Sequence, residues 1–203
     1  MHDEGYVKYR AELVEAPPPD SELAAKLNYS RSILRSRGMI GVYPDGVGFG
    51  NISARLAGSI SFVISGTATG GIETLEAEHF TTVTAFDIER NWLRCEGPIA
   101  ASSEAMTHGA VYLADASAAA VIHVHSEALW TELLEQSPAT SAKVEYGTPE
   151  MAREVVRLLR ETAAGRLRIF AMAGHREGVI AFGGSLDEAR ETIISAYNKV
   201  LER

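Results

Sequence analysis

The sequence predicts a single α/β domain, and three observations carry that expectation. Its 203 residues are enough to enclose one substantial hydrophobic core. Amphipathic helical patterns and strand-length apolar runs are interleaved along the chain rather than gathered into separate blocks. There is no internal repeat, and the one stiff break is Pro17-Pro18-Pro19, an extended spacer near the N-terminus. The expected organisation is therefore an N-terminal arm with a proline-rich spacer over residues 1–20 and one folded domain over 21–203.

The elements follow in order. Asp20-Ser21 is a helix-capping signal, with Leu23, Leu27 and Leu34 on one side and Gly38 as the stop, so a helix is expected over about residues 22–37. Arg31, Arg35 and Arg37 decorate its last turns, where cations suit the helix dipole without any ligand. Val47 to Leu56 alternates as a strand, turns at Ala57-Gly58 and returns as Ile60–Ile64. The loop Ser65-Gly66-Thr67-Ala68-Thr69-Gly70-Gly71 can offer N–H and hydroxyl groups to an anion. No Gly-Lys-Ser/Thr follows it, so it is not a P-loop, and clusters of this composition are also ordinary turn punctuation. Residues 83–88 and 91–95 read as a hairpin around Glu89-Arg90-Asn91, and His79 lies in a polar, solvated connection. Helices are expected over 127–136 and 149–164, strands over 167–173 and 179–183, and a last helix from Leu186 to about Glu202. That last helix turns Ala189, Ile193, Ala196, Tyr197 and Val200 inward.

Composition limits the function. Hydrophobic residues make up 46% and charged residues 23%, as in ordinary globular proteins, and the net charge is −8. Without a Lys/Arg run, that balance argues against nucleic acid or an anionic membrane as partner. The single Cys95 excludes an intramolecular disulfide framework and suits a reducing compartment. No stretch reaches 18 apolar residues and the N-terminus lacks a signal-peptide core, so a cytoplasmic protein is expected.

Two short segments carry the chemistry. Ala118–Ile122 is an apolar run of strand length that leads into His123-Val124-His125. Alternation along a strand points His123 and His125 the same way. Neighbouring imidazoles are suitable corners for a metal such as zinc, although a bare His-x-His also arises by chance at exposed strand ends. A cupin-type site would need a glutamate a few residues further on, where Leu129 and Trp130 stand. Upstream, Ser102-Ser103-Glu104 opens a helical pattern with serine as the expected N-cap and Glu104 in the first turn. His108, four residues on, is expected to be a supporting or surface histidine rather than a ligand. His175 sits in the glycine-framed turn Gly174-His175-Arg176-Glu177-Gly178, where a ligand would be held rigidly.

Taken together, Gly50-Asn51-Ile52-Ser53-Ala54-Arg55, Ser65-Gly66-Thr67, Ser102-Ser103-Glu104 with His108, His123-Val124-His125, and Gly174-His175…Gly183 followed by Leu186-Asp187-Glu188-Ala189 resemble the class II aldolase/adducin family. That family includes the fuculose-phosphate-type aldolases and the ribulose-phosphate 4-epimerases. The resemblance covers about residues 22–201. It implies a three-layer αβα fold around a mostly antiparallel sheet, assembled as a homotetramer with active sites between subunits. It implies zinc bound by His123, His125 and His175, a ligand set that also accepts manganese, cobalt or iron. Glu104 matches the catalytic base, and Asn51, Ser65, Gly66, Ser102 and Ser103 match a substrate phosphate cradle. The implied activity is a zinc-dependent aldolase of carbohydrate metabolism, a lyase making or cleaving a C–C bond beside a hydroxy-ketone through a metal-bound enediolate. A phosphorylated sugar is the implied substrate. Epimerase, dehydratase or decarboxylase chemistry on the same site is the alternative, and a non-catalytic adducin-like module is a further one.

The chain departs from that pattern in three places. The link between the His-x-His strand and the next helix is short and shows no counterpart of the family's proton-donating tyrosine; Tyr146 stands nearby, as an acid or as an exposed loop residue. With the sequence ending at Arg203, no C-terminal tail is expected to close the site. The usual His-Gly is expanded to His175-Arg176-Glu177-Gly178, expected to place an Arg176–Glu177 ion pair beside the metal, with binding of a substrate carboxylate by Arg176 as the alternative expectation.

Overall fold

Strand periodicity decides the layering of this molecule, because its central sheet buries side chains on both faces. In the computed structural model, which describes residues 7–202, the elements are β1 (Arg10–Val14), α1 (Ser21–Arg35), β2 (Gly41–Val42), β3 (Gly48–Phe49), β4 (Asn51–Arg55), β5 (Phe62–Ser65), β6 (Phe80–Asp87), β7 (Trp92–Glu96), α2 (Ala105–Ala114), β8 (Ala120–His125), α3 (Glu127–Gln136), α4 (Pro149–Glu161), α5 (Ala164–Leu167), β9 (Ile169–Ala171), β10 (Gly178–Gly183) and α6 (Leu186–Leu201). Eight strands form one sheet in the order β1-β7-β6-β5-β4-β8-β10-β9, while β2 and β3 make a small separate ribbon. Every pairing in the large sheet is antiparallel except β1 on β7.

One face of the sheet presents Phe62, Ile64, Val121, Ile180 and Phe182 to α2 and α4, which bring Met106, Val111, Met151 and Val155. The intervening residues Val63, Ile122, Val124, Val179 and Ala181 face α1, α3 and α6, which bring Leu27, Leu34, Leu129, Leu133, Ala189 and Ile193. The result is the three-layer αβα sandwich with a mostly antiparallel sheet. Each fully buried aliphatic or aromatic side chain in these two cores contributes about 1.5–3 kcal/mol. Among the described residues, no helix is long and apolar enough to cross a membrane.

Helix starts are fixed by side chains. Asp20, Ser126, Thr148 and Ser185 accept from Leu23, Leu129, Met151 and Glu188 N–H at the heads of α1, α3, α4 and α6, with Pro149 in the first turn of α4. The hairpin β6–β7 turns where expected, with Asn91 at positive φ.

Several boundaries differ from the sequence expectation. The run Val47–Leu56 is two strands, because Gly50 adopts φ +76° and a Cβ there would meet Ile40 Cγ1 at 2.7 Å. The helix expected over 149–164 stops at Glu161, where Thr162 takes an extended conformation, and resumes only as α5. The strand expected over 167–173 is confined to Ile169–Ala171 because Arg168 is left-handed. The return strand begins at Phe62 rather than Ile60. Part of the N-terminal arm also belongs to the sheet: Arg10–Val14 pair in parallel with Trp92–Glu96. His79 is half-buried in a short 3-10 turn, where its Nδ1 accepts from Glu76 N–H.

Candidate metal centre

Register carries the candidate ligands to one spot. In β8, His123 lies opposite Asn51 of β4 and Ile180 of β10, and His125 lies opposite Gly178. Both imidazoles stand on the face that carries Val121, since alternate residues share a face. Gly178 closes the turn that holds His175, and a Cβ at that position would lie 2.4 Å from His175 Cδ2. The glycine therefore leaves room for the third ring. Trp130 Nε1 donates to Met172 O at 2.9 Å and His175 N–H returns to the same carbonyl, which pins the approach to the turn.

The three rings come together, with His125 edge-on to the stacked pair His123 and His175. His125 Nε2 lies 3.1 Å from His123 Nε2 and 3.2 Å from His175 Nε2, and all three residues are buried. Nitrogen ligands about 2.0–2.1 Å from a tetrahedral ion stand about 3.3–3.4 Å from each other. The two spacings from His125 match that value, and all three ligand atoms lie within 4.8 Å of one another, so the group is placed to gather around one small divalent cation. Protonation agrees with that reading. Burial, followed by the neighbouring His125, His175 and His108, holds His123 well below the ordinary histidine value of 6.5, and a neutral imidazole is what a metal needs. His123 Nδ1 donates to Val179 O at 3.2 Å, which leaves the lone pair on Nε2. His125 Nδ1 lies 2.9 Å from Tyr43 Oη.

A cavity of about 320 Å³ opens beside the triad and is lined by His123, Glu104, Asn51, Ser102, Ser103, Gly66 and Tyr146, among others. That volume sits at the small end of the range for ligand pockets. No lysine or arginine is among the described residues that line it. The segment 100–103 runs beside 65–67: Thr67 N–H donates to Ala100 O and Ser102 N–H to Ser65 O. This pairing brings the Gly-rich loop against Ser102 and Ser103. Among the described residues, the N–H groups of Ala68, Thr69, Gly70 and Gly71 meet no protein acceptor, and all four residues line the cavity. Asn51 Oδ1 is buried and likewise has no partner among the described residues. Such groups suit an anionic, hydroxylated ligand. Ser65 is the exception in the proposed cradle, since its Oγ accepts from Ile52 N–H at 3.3 Å and stands behind the cavity wall.

At four positions the structure differs from the sequence expectation. Glu104 is itself the N-cap of α2 rather than a first-turn residue, and no serine side chain caps that helix; Ser102 Oγ instead accepts from Glu104 N–H. Of the two places expected for His108, supporting or surface, it takes a buried one, 2.7 Å from Ser53 Oγ. Tyr146 is not an exposed loop residue, being only 5% accessible with its ring 4.4 Å from that of His175. Arg176 pairs not with Glu177 but with Glu127 at 3.1 Å, and it leans into solvent. Arg31 is no surface decoration. It is buried and donates to the carbonyls of Thr69, Gly70, Ile72 and Glu73, clamping the Gly-rich loop from behind.

Two contributors had no signal in the sequence. Tyr43 reaches His125 from the β2–β3 ribbon. Tyr9, in the arm, donates to Ser102 O at 2.9 Å and Ala101 O at 3.2 Å, holding the backbone that leads into Glu104. Only a pattern linking the arm to the serine pair could have revealed it.

Residues 45–198 match the model of the class II aldolase and adducin N-terminal domain. No relative among curated proteins matches. Solved structures with the same fold include the L-fuculose-1-phosphate aldolase of Thermus thermophilus, at 23% identity and TM-score 0.66 over 90% of this chain and 92% of that one. YgbL of Klebsiella pneumoniae, a candidate aldolase/epimerase/decarboxylase, aligns at 20% identity and TM-score 0.67, covering 88% of this chain and 86% of its own. A sugar-phosphate aldolase of Thermotoga maritima aligns at 14% identity and TM-score 0.65, covering 89% and 94%. At these identities the likeness is one of fold.

Proposed function

This chain belongs to the class II aldolase and adducin family, and from that premise we propose that it is a zinc-dependent aldolase acting on a small phosphorylated hydroxy-ketone sugar. The observation that carries the proposal is that His125 Nε2 lies 3.1 Å and 3.2 Å from the Nε2 atoms of His123 and His175, with all three ligand atoms within 4.8 Å of one another, beside a cavity that also contains Glu104. His123, His125 and His175 would hold the ion, which when bound supplies Lewis acidity that polarises a substrate carbonyl. Glu104 takes the proton from the carbon beside that carbonyl, making the carbon a nucleophile toward an aldehyde. The reverse direction cleaves the same C–C bond. Tyr146, on the same cavity, is assigned the proton transfer to the aldehyde oxygen. Asn51, Gly66, Ser102, Ser103 and the loop N–H groups orient a phosphate with neutral donors, so they do not compete with the ligands for Glu104. Ser65 supports that cradle through Ile52. In this reading the enzyme works in the cytoplasm as a tetramer.

The test begins with metal content per chain on protein purified without a histidine tag. About one zinc per chain, lost in His123→Ala, is expected; no metal in either protein would favour a non-catalytic, adducin-like role. Glu104→Gln should keep the metal and the fold while abolishing exchange of the substrate proton with solvent, measured by NMR in deuterated buffer. Unchanged exchange would remove Glu104 from the mechanism. Exchange without released aldehyde would transfer the assignment to epimerase, dehydratase or decarboxylase chemistry.

A further inference from the structure

We propose that Tyr43 and Glu177 are positioning residues for the metal site, acting on the ion only through His125. The inference rests on the reading of His123, His125 and His175 as metal ligands and adds two residues to it. Tyr43 Oη donates to Glu177 Oε2 at 2.8 Å and stands 2.9 Å from His125 Nδ1. A phenol has one proton. Because that proton goes to the carboxylate, Tyr43 Oη accepts from His125 Nδ1–H. The hydrogen of His125 is thereby fixed on Nδ1, and its Nε2 lone pair faces His123 and His175. The carboxylate itself lies 3.9 Å from Nδ1, so its negative charge makes that lone pair a stronger donor. Packing fixes the ring plane as well: Tyr43 lies 4.5 Å from Phe49, and Phe49 lies 5.4 Å from His125, centroid to centroid.

The backbone of Glu177 provides a second, independent observation. Its φ is +66°, in the left-handed region where glycine is at ease and a glutamate is strained. The bonds that close the turn are all main-chain: Gly178 N–H to His175 O, and Ser126 N–H to Glu177 O, both at 2.9 Å. Glycine would make each of them. The turn itself gives no reason for a side chain at this position, whereas the contact with Tyr43 does. The neighbouring Arg176 takes no part, since its guanidinium pairs with Glu127. His123 rests its own Nδ1 on a neutral backbone carbonyl, whereas His125 has the Glu177 carboxylate behind it.

The experiment is a zinc titration of the apo protein against a chromophoric chelator, with thermal denaturation of each apo variant alongside. Tyr43→Phe and Glu177→Gly should each weaken zinc binding about 10–100-fold. Glu177→Gln, which keeps an acceptor and loses the charge, should weaken it less. Apo Glu177→Gly should melt no lower than the wild type, because the strained backbone is relieved. Cobalt-loaded Tyr43→Phe should show shifted ligand-field absorption. Equal zinc affinity in Tyr43→Phe, Glu177→Gly and wild type would overturn the assignment while leaving the metal site intact. A fall in affinity matched by a lower apo melting temperature in Glu177→Gly would give Glu177 to the turn instead, and also overturn it. A wild type that binds no zinc would overturn the metal site and this assignment together.

Discussion

His108 of α2 and His123 of β8 are buried on the same side of the sheet, yet their surroundings give them different work. His108 Nδ1 lies 2.7 Å from Ser53 Oγ, whose other neighbour is Tyr112 Oη at 2.7 Å. Burial pushes the His108 imidazole down from 6.5 to about 3. It therefore stays neutral in the fold and takes up a proton only when the chain unfolds. Its contribution to stability is complete above pH 6.5 and is lost as pH falls from there towards 3, at up to about 1.4 kcal/mol per pH unit. His123 shifts in the same direction, so the apo protein should lose stability steeply between about pH 6.5 and 5. Urea unfolding at the two pH values measures the slope, and His108→Gln should flatten it by about one proton. A slope unchanged by that variant would mean that His108 is already protonated in the fold.

At the scale of elements, α1 and the Gly-rich loop form one unit through Arg31. Burial, followed by Arg35, lowers the Arg31 guanidinium to about 10, still charged at neutral pH, and four carbonyls of the loop solvate it. Arg35 adds weaker bonds to Gly71 O and Ile72 O. With its carbonyls drawn backward, the loop keeps N–H groups available on the cavity side. Arg31→Met should cost about 2–4 kcal/mol of stability by stranding those acceptors. It should also weaken inhibition by inorganic phosphate at least tenfold while metal content holds. Phosphate inhibition equal to wild type would separate the clamp from the cradle.

For the molecule as a whole, the N-terminal arm stands behind the site's wall. Besides the Tyr9 bonds to Ser102 and Ala101, Lys8 Nζ pairs with Glu145 at 2.6 Å and sits 3.9 Å from the centroid of the Tyr146 ring. The ring of Tyr146 in turn rests against His175. Tyr9 is buried, and its hydroxyl is held far above the ordinary tyrosine range, first by burial and then by Cys95 and Glu104. It acts as a neutral donor. Tyr9→Phe should lower stability by about 1–2 kcal/mol. Removing residues 1–16 should leave zinc binding intact while kcat/KM falls, because Ser102–Glu104 and Tyr146 lose their backing. A truncated protein with wild-type kcat/KM would relegate the arm to the sheet edge alone.

What the chain declares on its own is whatever is local or periodic. Capping residues and apolar spacing announce α1, α3, α4 and α6, and alternation along β8 puts His123 and His125 on one face. The glycine-framed turn marks His175, and the motifs taken together point to the family. The interior breaks at Gly50 and Arg168 were not legible: Gly50 sits at positive φ against Ile40 and His123 O, and Arg168 takes a left-handed conformation that its residue type does not announce. The contacts that finish the site span long separations as well: Tyr43 meets Glu177 across 134 positions, Tyr9 meets Ser102 across 93, and Arg31 meets the loop across about 40. Residue types at such distances carry no spacing signal, and a tyrosine, an arginine or a glutamate reads as surface until packing closes around it. Local sequence determined which side chains are able to bind a metal and on which face they stand. Only tertiary packing decided which of the others were desolvated, oriented and brought within hydrogen-bonding distance of them.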